Sequence, residues 1–208
     1  MRASDAVTLL DSQATRANLE AAIEDVAGQM GPDDTFVFFY SGHGAQVDRV
    51  GGFESTDPDG KDETIELYDG AVLDNEFNQM LSQINAGTTL IVLDSCFSGG
   101  FAKDVISVPG RMGLFSSEED VTSQVASKFR AGGYLSYFFE EALTQPHADA
   151  DNDGGLSALE LSQYLHERFR SDVKAFGDDQ YVRTSGPQSG YQHLVVDRGG
   201  IGPYDILF

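Results

Sequence analysis

The stretch "TFVFFYSGHGAQ", residues 35–46, decides how this chain is read. Phe36 to Tyr40 are five consecutive apolar residues, the pattern of a strand buried on both faces. Ser41-Gly42 turn the chain, and His43 follows with a second glycine, Gly44, behind it. An imidazole in a glycine turn at the carboxyl end of a buried strand invites chemistry only if a partner stands beside it.

A second stretch supplies that partner. "TTLIVLDSCFSGG", residues 88–100, is again a buried strand running into a glycine turn, with Cys96 just past its end. Between the two lie Phe77, Met80, Leu81 and Ile84 at helical spacing, enough for the crossover helix that a parallel strand pair needs. Neighbouring parallel strands would set His43 and Cys96 side by side beyond the carboxyl ends, where α/β sheets carry their sites. A thiolate next to an imidazole is the arrangement for nucleophilic catalysis, with histidine managing the proton. N–H groups near Cys96 could hold an oxyanion. Taken singly, a lone cysteine is most often an inert buried residue, and a lone histidine a hydrogen-bonded loop residue. Their pairing at matched strand ends favours catalysis.

The rest of the chain reads as one α/β domain over residues 1–208, with a mainly parallel sheet covered on both faces. Ala6–Leu10 reads as a short strand. Thr15 caps a helix with Leu19, Ile23, Val26 and Met30 on one face, closed by Gly31-Pro32. A long polar loop is expected from Ser41 to about Gly70, and Asp74 is expected to cap the next helix. Residues 98–133 are Gly- and Ser-rich, with a short strand at Gly113–Phe115. Leu135, Phe138, Phe139 and Ala142 mark a third helix, Leu156 to Arg170 a fourth, and Tyr191–Val196 a late strand. The chain shows no internal repeat and no interdomain linker.

Composition narrows the function. Net charge is −21, from 34 acidic and 13 basic residues, which argues against a nucleic-acid partner. Such a surface suits divalent cations, basic peptides or plain solubility. Hydrophobic residues make up 40% of the chain, enough for a real core. No apolar run approaches the ~20 residues of a membrane span, and "MRASDAV" has no apolar signal-peptide core. The single cysteine excludes an internal disulfide. A cytoplasmic monomer without a membrane partner is expected, secretion being the alternative compartment.

"DADNDGGLSALE", residues 149–160, fits the template of a calcium-binding EF-hand loop. Asp149, Asp151 and Asp153 take positions one, three and five; Gly154 makes the sharp turn. Gly155 offers a carbonyl, Ser157 is position nine, and Glu160 is the bidentate twelfth ligand. Helical patterns flank the loop on both sides. The bland alternative is an acidic loop followed by a Ser157–Glu160 capping box.

"FFYSGHGAQ" together with "LIVLDSCFSGG" resembles the caspase-like cysteine peptidases of family C14, most of all their metacaspase and orthocaspase branch. "ATRANL", "DPDGKDETI" and "GGYLSYFFEEAL" extend the likeness over most of the chain. The Gln-Ala-Cys-x-Gly nucleophile signature of true caspases is absent. The resemblance implies a caspase-like α-β-α sandwich and a His43/Cys96 dyad. It implies peptide-bond cleavage through a thioester acyl-enzyme, with Gly44 and Cys96 N–H groups as oxyanion donors. Asp94 would occupy the acidic specificity position, selecting Arg or Lys before the scissile bond because a buried carboxylate needs a cation. Alternatively Asp94 only bonds local backbone. The family's other pocket carboxylate is not recognisable here.

The resemblance also implies calcium activation through Asp59, Asp62, Asp74 and Asp104, with Asn75 where the family often has a second aspartate. Self-processing would fall at Lys103, Arg111, Lys128 or Arg130. The family's first strand, expected between the Val7–Leu10 and Phe36–Tyr40 strands, is missing from this sequence. Two rivals stand beside the peptidase reading. One is an inactive caspase-like binding module; the other is a calcium-binding domain in which the dyad motif is incidental.

Overall fold

The computed structural model describes residues 6–48, 60–126, 129–130, 132–173, 181–183 and 189–208. Its first helix, α1 (Arg16–Ala27), starts where Thr15 accepts a hydrogen bond from the Asn18 N–H at 3.3 Å. It ends at Gly28, earlier than the expected Gly31-Pro32 stop. Ala6–Leu10, read above as a strand, has no strand partner among the described residues and enters a 3-10 turn at Asp11–Gln13.

The central sheet contains β1 (Thr35–Ser41), β5 (Thr88–Asp94), β6 (Arg111–Phe115) and β9 (Val195–Asp197), in the order β1-β5-β6-β9. The first three are mutually parallel, and β9 runs antiparallel to β6. Among the described residues β1 forms one edge of this sheet.

The expected long loop after β1 is instead a second sheet, an antiparallel meander of β2 (Gly44–Asp48), β3 (Lys61–Leu67) and β4 (Gly70–Leu73). Its polar composition misled because β3 buries Asp62, Glu63 and Thr64, three polar side chains in a row. A third, two-stranded ribbon pairs β7 (Tyr181–Arg183) with β8 (Ser189–Tyr191). The late strand is therefore divided between β8 and β9.

Strand alternation sends the two faces of β5 into separate cores. Leu90 and Val92 pack with Met112 and Leu114 against α4 (Tyr134–Thr144) and α5 (Ala158–Arg168). Ile91 and Leu93 pack with Phe36 and Phe115 against α1, α2 (Asp74–Leu81) and the short α3 (Ala102–Val105). The result is the three-layer α/β architecture with a mainly parallel sheet. It fixes the carboxyl ends of β1 and β5 as one rigid rim.

Candidate active site

The ladder between β1 and β5 pairs Ser41 with Asp94. His43 and Cys96 each follow by two residues, so the two stand in adjacent turns beyond the same rung. Gly42 N–H still donates to the Asp94 carbonyl at 3.3 Å. Gly44 packs so closely on the second turn that a Cβ there would lie 2.3 Å from the Cys96 carbonyl oxygen. The two turns are thus built against each other.

His43 is held by its backbone while its exposed ring stays accessible. The Tyr40 hydroxyl lies 2.8 Å from the carbonyl oxygens of both His43 and Glu66. Glu66 N–H donates to the His43 carbonyl at 3.0 Å. Burial drives the Tyr40 phenol up to about 12, so it remains a neutral hydroxyl anchor.

Cys96 is half-buried. The Ser123 N–H donates to its Sγ at 3.2 Å, and the Ser123 carbonyl lies 3.7 Å from the same sulfur. Burial pushes the thiol pKa up and the nearby Asp94 carboxylate adds to this, while the Ser123 N–H pulls it down. An N–H aimed at sulfur favours the thiolate, the form that attacks.

Asp94 is buried, and its Oδ2 accepts from Ser136 N–H at 2.7 Å and Ser136 Oγ–H at 2.5 Å. Ser136 sits in the first turn of α4, whose cap residue Gly133 offers no side chain. Asp94 therefore caps α4 from a neighbouring strand, where the helix dipole favours a carboxylate. Burial raises its pKa, and the Ser136 hydrogen bonds oppose the rise. Gly133 is required here, since a Cβ would fall 2.0 Å from an Asp94 carboxylate oxygen.

On the other side of β5 lie four buried acidic residues: Asp62 and Glu63 on β3, Asp74 on α2, and Asp104 on α3. Asp74 is the first helical residue, not the cap expected from sequence. Its oxygens accept instead from Glu63 N–H at 3.0 Å and Asn75 N–H at 2.7 Å. Burial, with the charges of Asp104 and Asp62 adding, raises Asp74 to about 7; the two N–H donors oppose this. Gly100, four residues after Cys96, abuts the Glu63 carboxylate: a Cβ there would overlap it. Glu63, not singled out from sequence, is buried beside Asp62 on β3. Asp59 lies outside the described residues.

In the 149–160 loop, one carboxylate oxygen from each of Asp149, Asp151 and Asp153 lies within 4.8 Å of the others. Asp149 accepts from the N–H groups of Asp153 and Gly154 at 3.2 and 3.0 Å, and Gly154 takes φ +86° as the sharp turn requires. Glu160 reaches back to the N–H groups of Ala150 and Ser157 at 2.9 Å each. Hydrogen bonds from Ser157 hold the Glu160 carboxyl below its usual range. Gly155 N–H donates to Asp153 Oδ1 at 2.7 Å. Leu156, between loop and helix, pairs with a later segment: its N–H donates to the Phe208 carbonyl and its carbonyl accepts from Leu207 N–H, both at 2.9 Å. These carboxylates are oxygen donors of the kind a hard cation takes.

Residues 98–115 do not form the loose segment expected of a self-processing region. They fold as a 3-10 turn, α3 and β6. Arg111 is buried in β6, its guanidinium donating to Asn78 Oδ1 and to the carbonyls of Val105 and Leu81. That removes it as a cleavage site. Lys103 pairs with Glu119, Arg130 is exposed, and Lys128 lies outside the described residues.

Comparison with known proteins gives a family. The profile described as metacaspase, peptidase C14 domain, matches residues 2–104, a span that contains both His43 and Cys96. Metacaspase-1 of Schizosaccharomyces pombe is 39% identical over 92 residues, 41% of this chain and 21% of the relative. Metacaspase-9 of Arabidopsis thaliana is 36% identical over 90 residues, 41% of this chain and 27% of the relative. The matched region thus spans about a fifth to a quarter of these curated relatives. A crystal structure of a Geobacter sulfurreducens protein superposes with a TM-score of 0.59 at 19% identity, covering 97% of this chain and 83% of the other. That likeness speaks for the fold.

Proposed function

We propose that this chain, which belongs to the metacaspase family of C14 peptidases, is a cysteine endopeptidase that cuts after Arg or Lys. The observation that carries the proposal is the parallel register of Ser41 with Asp94, which brings His43 and Cys96 to one rim. In this reading the Cys96 thiolate attacks the scissile carbonyl and forms a tetrahedral oxyanion facing the N–H groups of Gly44 and Cys96. His43 delivers the thiol's proton to the leaving amine, which departs and leaves a thioester. His43 then takes a proton from water, and hydroxide attack releases the acid and restores the thiol. The whole unit is one peptidase domain with the 149–160 loop embedded in it.

Asp94 supports the basic preference as a buried carboxylate beside the nucleophile, oriented by Ser136. The same carboxylate also serves α4, so specificity and helix capping draw on one group.

The four buried acidic residues support a regulatory calcium site formed by Asp62, Asp74 and Asp104 with Glu63. Burying a carboxylate is costly unless it is protonated, hydrogen-bonded or paired with a cation, and the charges of Asp62 and Asp104 act on Asp74. A second calcium would be held by Asp149, Asp151, Asp153, the Gly155 carbonyl, Ser157 and Glu160. Calcium would supply charge compensation at both places; bond breaking stays with His43 and Cys96.

The test is covalent trapping. A peptidyl-arginyl acyloxymethyl ketone should alkylate Cys96, located by mass spectrometry, while the aspartyl analogue should not. Labelling by neither reagent, in a folded chain with calcium, would favour an inactive binding module.

A further inference from the structure

Gln192 lies 96 residues after the nucleophile and is absent from the machinery described so far. Its side chain is almost fully buried, at 1% exposure. All of its hydrogen-bonding directions converge on one segment. Nε2 donates to the Ser116 carbonyl at 2.8 Å and to Ser123 Oγ at 2.8 Å; Oε1 accepts from Gln124 N–H at 2.9 Å. Ser116 Oγ adds a 2.8 Å contact to Ser123 Oγ. The segment so tied has no regular secondary structure between Val121 and Gln124. Beyond these ties it is fixed near the site by Phe97 N–H donating to the Val121 carbonyl at 2.9 Å.

We propose that Gln192 is a positioning residue for the nucleophile: it holds the 116–124 segment so that the Ser123 N–H points at the Cys96 sulfur and stabilises the thiolate. A buried amide with donors and acceptor all engaged is a rigid device, and removing it takes a partner from two backbone groups, the Ser116 carbonyl and the Gln124 N–H, and from the Ser123 hydroxyl at once. Gln192 grips Ser123 itself through its hydroxyl and the next residue through the Gln124 N–H, so it brackets the donor. The charged group that acts on the sulfur is Asp94 on β5; His43 stands in the neighbouring turn, and the 116–124 segment carries Glu118, Glu119 and Asp120, which face His193, Lys103 and Gln46. His193, next to Gln192, is paired with Glu118. None of these is altered by replacing Gln192. The inference rests on Cys96 being the nucleophile, but its test needs no substrate.

The experiment is the pH dependence of Cys96 alkylation by iodoacetamide in the full chain, compared with Gln192→Met and Ser123→Ala. Methionine keeps the volume and removes the hydrogen bonds; alanine removes the two hydroxyl contacts of Ser123, to Gln192 and Ser116, and leaves the Ser123 N–H in place. The expected result is a thiol titration displaced upward by about one unit in Gln192→Met, so that alkylation near neutral pH slows about tenfold relative to its alkaline plateau. Ser123→Ala should give a smaller shift in the same direction. Profiles that coincide with the wild type in a folded Gln192→Met chain overturn the proposal. If that variant does not fold, an unshifted Ser123→Ala profile overturns it. A shifted profile in a chain that cleaves no peptide would retain the positioning role while removing the peptidase assignment.

Discussion

Gly44 and Cys96 touch through their backbones: the Gly44 Cα faces the Cys96 carbonyl so closely that no Cβ fits between them. The turn carrying His43 and the turn carrying Cys96 are therefore one packed unit, set by the Ser41–Asp94 rung beneath them.

Gly44→Ala tests that unit. The new Cβ would meet the Cys96 carbonyl on one side and the Thr64 carbonyl, 3.1 Å away, on the other. Neither is a side chain that can swing aside. We expect kcat/KM to fall about a hundredfold, the scale of an ångström-sized misplacement, with a stability loss of about 1–3 kcal/mol. Steady-state kinetics and urea unfolding read the two effects separately.

Asp94 caps α4, and the proposed arginine preference would draw on the same carboxylate; substitution separates the two. Asp94→Asn keeps an acceptor for the Ser136 N–H but removes the charge. It should stay within about 1 kcal/mol of wild-type stability while losing most of its preference for arginine. Asp94→Ala also leaves the start of α4 without its acceptor, at about 1–3 kcal/mol. Equal arginine preference in wild type and Asp94→Asn would assign the carboxylate to the helix alone.

Asp74 sets a pH dependence. Its carboxyl rises from 3.8 to about 7 on folding, so the folded chain holds this proton more tightly than the unfolded one. That stabilisation is complete below about pH 4 and is lost as pH rises through 7, by an amount of the order of a few kcal/mol. Calcium at the proposed Asp62–Asp74–Asp104 site would compete with the proton, so it should stabilise the chain more at pH 8 than at pH 5. Urea titrations at both pH values, with and without calcium, measure this. Asp74→Asn should be more stable than wild type at pH 8 without calcium and should lose the calcium response there.

Glu160→Gln addresses the second loop. It removes the negative charge of the proposed twelfth ligand while keeping hydrogen-bonding capacity toward Ser157. Calcium affinity at this loop should drop at least about tenfold, read by isothermal titration. The backbone pairing of Leu156 with Leu207 and Phe208 should survive the change, and amide exchange at those residues reports it.

Much of this architecture was legible because the two deciding strands are apolar on both faces. Leu90 and Ile91 serve opposite cores, so the β5 sequence is an unbroken apolar run and its turn is unmistakable. The glycine turns then announced His43 and Cys96. The β2–β4 meander was not legible, because β3 places Asp62, Glu63 and Thr64 in the interior, and polar runs read as loops. Val7–Leu10 has the composition of a strand but no described partner, and pairing is not a property of composition. Ser123, Ser136 and Gln192 left no sequence signal, since each acts through a single long-range hydrogen bond network between segments that sequence does not show to be adjacent. Asp74 looked like a cap because it precedes an amphipathic helix. Its carboxylate instead turns back to β3.

Hydrolysis of paired fluorogenic peptides ending in arginine or aspartate, with and without calcium, tests the central assignment most directly. Wild type, Cys96→Ala and His43→Ala are compared. The predicted result is cleavage after arginine only, abolished in Cys96→Ala and reduced by about two to four orders of magnitude in His43→Ala. A folded wild-type chain that cleaves neither peptide under either condition, or cleavage that persists in Cys96→Ala, would contradict it.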